Sequence, residues 1–564
     1  MTRREFAIAA LLAIGFGAVA LLLASSNGAL GIARNDDWSF IQNAFQFHDT
    51  GIFAVAGWVQ MMLIGQLVLA YPVLLVAGNS IAALQVLVAG LGVVLLLGTY
   101  VLCRSFLPRM YAVFAALSLA VGPLLATLSV SFMTDVPAAS LQVLALVIAW
   151  WSMRGTRTSA PWLVVALLVA LLAFSIREYS LTAILVVLAV AWLRQPTSRL
   201  PARVLAILTV LTGLLVLGML AWRASQLTDN PSEFGLNIDG LGFQARMPLT
   251  VGLLTLPLTA WINPVAAARR AWAASRVWTL LCLIGLAGAL AVSRLAFVGN
   301  YWSFSGSYTG AALGEPRPLY PGWAMTLIDV AAIYGAILIA LVLALALARV
   351  TRAIRSASAV SATRAACTSS AGLALTVAFV GLYGLMFLVI PTILRVPIFD
   401  RYFVGVLALA GAVIVWAGWR AGVLWRSPAL PVGALAVLTA IGLISTVSTA
   451  AVDGARWELA RLTAEELDIA PGNVDGGFDW FRFQTNGSPK DSDRPVFNYT
   501  WWTVGYPGRA VCATVMFADN PVGTVAAAPD PAAPALRTRT VTVLPGLGQE
   551  LKVIAGPDTC GTAP

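Results

Sequence analysis

The sequence holds two lysines in 564 residues, Lys490 and Lys552. A phosphate-binding loop of the G-x-x-x-x-G-K-[ST] kind needs a lysine on the nucleotide phosphates. No such string occurs, which excludes a nucleotide-driven pump built on that loop. There is one histidine, His48, so no site is built from several imidazoles. The five cysteines are Cys103, Cys282, Cys367, Cys512 and Cys560, and no pair has zinc-ligand spacing. Charge is scarce as well: 11% of residues are charged, against about a quarter in soluble domains.

What is present is apolar. Mean hydropathy is +0.86 and 59% of residues are hydrophobic, the composition of a polytopic membrane protein. The net charge of +10 does not point to nucleic acid. Residues 1–451 carry 26 arginines and 12 acids (+14), and residues 452–564 carry 9 basic and 13 acidic groups (−4). The excess belongs to the membrane part, where positive charge collects in cytoplasmic loops.

A spanning helix needs about 20 mainly apolar residues. That rule places thirteen spans, near 5–27, 79–102, 110–130, 136–153, 160–177, 179–193, 204–222, 249–267, 277–297, 323–348, 371–393, 402–419 and 430–451. Pro257, Asn263 and Pro264 interrupt the eighth. The apolar run at 57–75 is assigned to the outer interface. With the N-terminus inside, the cytoplasmic segments collect 18 arginines and one acid, Glu5, and the opposite side of the membrane part 8 arginines and 11 acids. The first apolar run exceeds a signal-peptide core of about 7–15 residues, so it is expected to remain as the first helix.

The expected fold is an all-α membrane domain over 1–451, with interfacial helices in its first outer loop. A small extracytoplasmic α/β domain over 452–564 follows. In that second domain "ARWELARLTAEELDIAP" reads as a short amphipathic helix. The aromatics from "GGFDWFRF" onward read as strand-like, and "TVTVLPG" and "ELKVIAG" as two late strands. Cys512 and Cys560 form a candidate disulfide if this domain lies outside, where such bonds persist.

Groups able to do chemistry gather at the outer face. "RNDDWSF" places Asp36 and Asp37 just after the first span, "MTDVP" places Asp135 before the fourth, "SIREYS" places Arg177 and Glu178 in a short outer turn, and "IFDRYF" places Asp400, Arg401 and Tyr402 before the twelfth. Each has a plain alternative. The aspartates suit helix starts, Arg401 can snorkel, and Tyr402 suits an aromatic belt. His48 falls eleven residues after Asp37, about 16 Å along a helix, too far to share an ion. Taken together, carboxylates and guanidiniums above an apolar body suit sugar transfer from a polyprenyl-phosphate donor. A carboxylate takes the acceptor's proton, and arginine's fork holds the departing phosphate.

On these residues the chain resembles the GT-C membrane glycosyltransferases related to protein O-mannosyltransferases and the lipid A aminoarabinose transferase. "DDWSF" supplies the first-loop acids and an aromatic, with Gly51 further on; "MTDVP" and "RYFVG" resemble the second-loop and late motifs. The chain departs by having Asp37 where the family has Glu, and Ala70-Tyr71-Pro72-Val73 where members carry a Lys or His beside two prolines. The resemblance implies Asp36 as general base and Asp37 as its partner in positioning acceptor or metal. It implies Asp135 in the same site and Arg177 and Arg401 on the donor phosphate, with Glu178 and Tyr402 beside them. A divalent cation on Asp36 and Asp37 is the one candidate cofactor. The expected partners are a polyprenyl-phosphate sugar, an extracytoplasmic protein, lipid or cell-wall acceptor, and the bilayer. Arginine's dominance over lysine, with abundant alanine, points to a bacterial plasma membrane. The alternative is a transporter or lipid flippase that makes no bond, for which Asp329, inside the tenth span, is the residue to watch.

Overall fold

The computed structural model describes residues 1–55, 58–154, 158–198, 200–226, 240–305, 318–355, 370–394, 398–485, 511–518, 534–544 and 547–556. Among these, nine helices are long and apolar enough to cross a membrane: Arg3–Ser26, Ile81–Arg104, Asp135–Ser152, Glu178–Gln195, Ala202–Ala224, Arg276–Ser293, Gly322–Arg352, Ala371–Val389 and Ala429–Glu466. They fall on nine of the thirteen expected spans. Three of the other four fall on the shorter helices Arg109–Val121, Ala160–Phe174 and Leu407–Ala421.

The eighth expected span is broken. Helix Gly240–Leu254 gives way to Leu256–Thr259, and a new helix, Pro264–Ala274, begins with Pro264 in its first turn and the Asn263 side chain capping Ala266 N. Pro has no N–H to give and Asn is a strong cap, so the residues that weaken the run also restart it. The 57–75 run contributes helix Ile64–Ala77, 14 residues long. At 1.5 Å per residue that is about 21 Å, short of the roughly 30 Å hydrocarbon core.

Burial sorts the helices. In Asp135–Ser152, 72% of the apolar window is enclosed, against 17% in Arg3–Ser26, Ala202–Ala224 and Arg276–Ser293. Asp135 therefore opens the innermost helix, while the sparsely covered ones face outward.

The C-terminal region differs from its sequence reading in two places. Helix Ala429–Glu466 runs 38 residues without a break, about 57 Å. It passes straight through the boundary expected at 451, and the amphipathic stretch expected as a separate helix is its far end. "FDWFRFQ" is helical, Phe478–Gln484, rather than strand. The two late strands form as a hairpin, Arg537–Leu544 with Leu547–Ala555. Ala513–Phe517 pairs antiparallel with Leu547–Ala555, and Val474–Asp475 pairs parallel with Ala513–Phe517. Arg537 reaches Glu466 and Arg539 reaches Glu458, pinning the hairpin to the long helix. Cys512 is disulfide-bonded; Cys560 lies outside the described residues.

Candidate active site

The first-loop helix is Asp37–Thr50, and Asp36 occupies its cap position. A capping aspartate turns its carboxylate onto the helix's free N–H groups, but Asp36 makes no such bond. Its Oδ2 instead lies 3.1 Å from both terminal nitrogens of Arg401, and its Oδ1 accepts from Trp58 Nε1 at 3.2 Å. Asn35, just before it, takes a left-handed backbone (φ 55), which asparagine tolerates better than most residues. Asn35 Nδ2 donates to Tyr301 Oη at 3.4 Å.

Asp37 faces the other way. It is fully buried, with Oδ1 accepting from the Arg34 backbone N–H and Oδ2 from that of Phe132 at 2.8 Å. Burial raises its pKa well above the usual carboxylate range, and those two N–H groups and the Arg34 guanidinium only partly oppose the rise. Asp37 ties the segment before helix Asp37–Thr50 to the segment before helix Asp135–Ser152.

Arg401 stands between two acids. Beyond Asp36 on its terminal nitrogens, its Nε lies 3.9 Å from Asp135 Oδ2, outside hydrogen-bond range. That Nε is buried and has no hydrogen-bond partner among the described residues. Arg177 completes the row: Nε donates to Thr134 Oγ1 at 2.5 Å and NH2 lies 3.3 Å from Asp135 Oδ1. Asp135 is fully buried and also accepts from Tyr179 Oη at 3.4 Å. Both guanidiniums lie over the Tyr402 ring, Arg177 at 5.2 Å and Arg401 at 5.5 Å. The order is Arg177, Asp135, Arg401, Asp36, with charge alternating along a buried line whose last member alone is partly open, at 23% side-chain exposure.

Of the residues singled out in the sequence, the structure brings Asp36, Asp135, Arg177, Arg401 and Tyr402 together. Glu178 sits apart from Asp36, by the Met62 backbone and within electrostatic reach of Arg177 and Arg223. His48 pairs with Asp49 at 2.9 Å, and Asp49 accepts from Asn79, away from the row. Asp36 and Asp37 do not form a cation site as arranged. Asp37's oxygens are taken by backbone N–H groups, and Asp36 meets a guanidinium and an indole N–H. Among the described residues no group of three or more His, Cys, Asp or Glu side chains is placed to hold an ion.

Three things went beyond the sequence reading: Trp58, the part played by Asp400, which the sequence named only as an outer-face acid, and a buried charge chain. Trp58 gave no signal there beyond its place in an apolar run. Asp400 accepts from the backbone N–H groups of Tyr301, Trp302 and Arg401 at 2.7–3.1 Å, so it fixes the turn that aims Arg401. The third is a buried charge chain. Arg34 Nε lies 2.8 Å from Asp453, Arg456 lies 3.5 Å from Asp453, and Arg456 grips both oxygens of Asp479 at 2.5 and 2.6 Å. Arg34, Asp453, Arg456 and Asp479 are each 3% exposed or less.

No protein-family model and no curated protein matches the chain. Among solved structures it is similar to the Archaeoglobus fulgidus oligosaccharyltransferase in complex with Zn and sulfate, 14% identical, TM-score 0.40, over 89% of this chain and 68% of that one. It is also similar to ArnT from Cupriavidus metallidurans bound to undecaprenyl phosphate, 15% identical, TM-score 0.35, over 97% and 98%. A third is the A. fulgidus oligosaccharyltransferase AglB with an inhibitory peptide and a dolichol-phosphate, 13% identical, TM-score 0.36, over 90% and 69%.

Proposed function

We propose that the protein is a membrane glycosyltransferase that moves a sugar from a polyprenyl-phosphate donor to a hydroxyl-bearing acceptor on the outer face of a bacterial plasma membrane. The reading rests on Asp36. It holds the cap position of a helix without capping it, and it faces Arg401, whose Nε is buried without a hydrogen-bond partner among the described residues. A guanidinium with an unused donor beside a second buried arginine suits a phosphate, which accepts from several donors at once.

The step is a single displacement with inversion. The acceptor oxygen attacks the anomeric carbon while Asp36 takes its proton. The bond from that carbon to the lipid-phosphate oxygen breaks, and the electron pair leaves with the phosphate. Arg401 and Arg177 hold the charge that develops there. A phosphate on Arg401's fork competes with Asp36 for the same N–H groups, so donor binding frees the carboxylate for its proton. Asp135 holds both arginines in place, and no step is routed through a metal ion.

The test uses purified full-length protein in lipid with a panel of radiolabelled polyprenyl-phosphate hexoses and pentoses. Wild type should release polyprenyl phosphate from one of them. Asp36→Asn should lose at least about a hundredfold, the scale of a general base, while remaining folded. A fully active Asp36→Asn protein sinks the mechanism. The transporter reading makes the opposite forecast: substrate movement without bond formation, tolerance at Asp36 and sensitivity at Asp329.

A further inference from the structure

Two oxygens of Asp36 meet two different partners. Arg401 takes Oδ2, and in the proposed reaction it turns to the donor phosphate. Oδ1 is held by Trp58 Nε1 at 3.2 Å. Once Arg401 is engaged elsewhere, that indole N–H is what fixes the rotation of the carboxylate.

Trp58 is itself fixed from two sides. The backbone on its C-terminal side is gripped by Arg223, whose NH2 donates to Val59 O at 2.9 Å and whose Nε donates to Met61 O at 3.0 Å. Its ring meets Phe478 of the C-terminal region edge to face, with centroids 5.8 Å apart and planes at 69°. Phe478 also packs edge to face on Trp38, at 6.0 Å and 87°, and Trp38 directly follows Asp37. The next residue, Asp479, anchors the buried chain through Arg456 and Asp453 to Arg34. The Arg34 backbone N–H in turn holds Asp37. Gln42, one turn along the first-loop helix, donates to Phe483 O at 3.1 Å. Helix Phe478–Gln484 thus touches the Asp36 loop at several points, one of them a single residue away from the carboxylate.

We propose that Trp58 is a positioning residue for Asp36, and that Phe478 of the C-terminal region holds Trp58 against it. The C-terminal region is then part of the reaction centre rather than an appended binding module. The proposal deepens the glycosyltransferase reading and rests on Asp36 as base. A lost hydrogen bond to a charged group corresponds to roughly ten- to a hundredfold in rate.

The test is steady-state kinetics of full-length protein in lipid, on the polyprenyl-phosphate sugar that wild type consumes in the panel. Trp58→Phe keeps the ring and loses the N–H. Its kcat should fall on the order of tenfold or more, with donor KM and melting temperature unchanged. Phe478→Ala should lower kcat in the same direction, and Phe478→Tyr should restore it. Wild-type kcat in Trp58→Phe, or a rise in KM alone, overturns the proposal while an inactive Asp36→Asn protein keeps the base. Wild-type kcat in Phe478→Ala overturns the part played by the C-terminal region, and this variant carries the test if Trp58→Phe does not fold. An active Asp36→Asn protein removes the base itself and this proposal with it.

Discussion

Arg401 separates two uses of positive charge. Its terminal nitrogens pair with Asp36, and its Nε points towards Asp135 without reaching it. Lysine keeps the charge but replaces the planar fork with a single ammonium. Arg401→Lys should therefore stay folded and raise donor KM about tenfold or more, since a bidentate contact becomes a single one; donor titration of the purified variant reads this, and unchanged KM removes Arg401 from the phosphate. Its neighbour Asp400 carries a pH signature. Burial pushes that carboxyl up to about 7, against the pull of backbone N–H groups from Tyr301, Trp302 and Arg401. The folded protein then holds the proton more tightly than the unfolded chain, whose value is 3.8. The contribution to stability is full below about pH 4 and is lost as pH rises to about 7. Asp400→Asn cannot ionise, so its melting temperature should fall less steeply between those limits than that of wild type. Parallel slopes would show that Asp400 does not titrate in this window.

The continuous helix Ala429–Glu466 joins the membrane part to the C-terminal region. Gly454 lets it cross the end of the first span, because a Cβ there would collide with the Asn27 carbonyl oxygen. Two residues on, Arg456 is buried between Asp453 and Asp479. Removing one partner from a buried charge set costs about 3–5 kcal/mol. Arg456→Ala should therefore lower the melting temperature markedly and reduce transfer, as read by thermal melts and the donor assay on the same preparation; a wild-type melt would show that the chain contributes nothing. The same elements mark where the sequence was legible. Long apolar runs marked the nine helices that are long and apolar enough to cross a membrane among the described residues, and the interruptions at Pro257, Asn263 and Pro264 marked the break in the eighth expected span. Helix Phe478–Gln484 was misread because seven residues are too few to show a 3.6-residue period, and its aromatics equally suit a strand. What holds it is tertiary: Asp479 on Arg456, and Phe478 on Trp38 and Trp58. The row of Arg177, Asp135, Arg401 and Asp36 was legible residue by residue, since each member sits at a span end. Trp58 and the Arg34 chain were not, because Asp36 pairs with one residue 22 positions away and Arg34 with another 419 away.

Across the whole molecule the reading depends on which way the chain faces. Polyprenyl-phosphate sugars are the needed donors only where nucleotide sugars are absent, so the Asp36 row has to lie outside the cytoplasm. The arginine count is the argument for that orientation: the segments assigned inside hold 18 arginines and one acid, and a bias of this kind in short loops is what sets orientation. Two exposed positions that the arginine count assigns to opposite sides of the membrane make the test direct. Thr50 ends the helix that Asp37 begins, and Ser427 lies in the connection between Leu407–Ala421 and Ala429–Glu466. In a background with Cys103, Cys282 and Cys367 replaced by serine, Thr50→Cys should react with a membrane-impermeant maleimide on intact cells. Ser427→Cys should react only after the cells are opened. The reverse pattern would place Asp36 and both arginines in the cytoplasm, among nucleotide sugars, and remove the reason for a lipid-linked donor. Labelling as expected would leave the carboxylate where only a lipid-borne sugar can meet it, with its phosphate level with Arg401 and its tail in the bilayer.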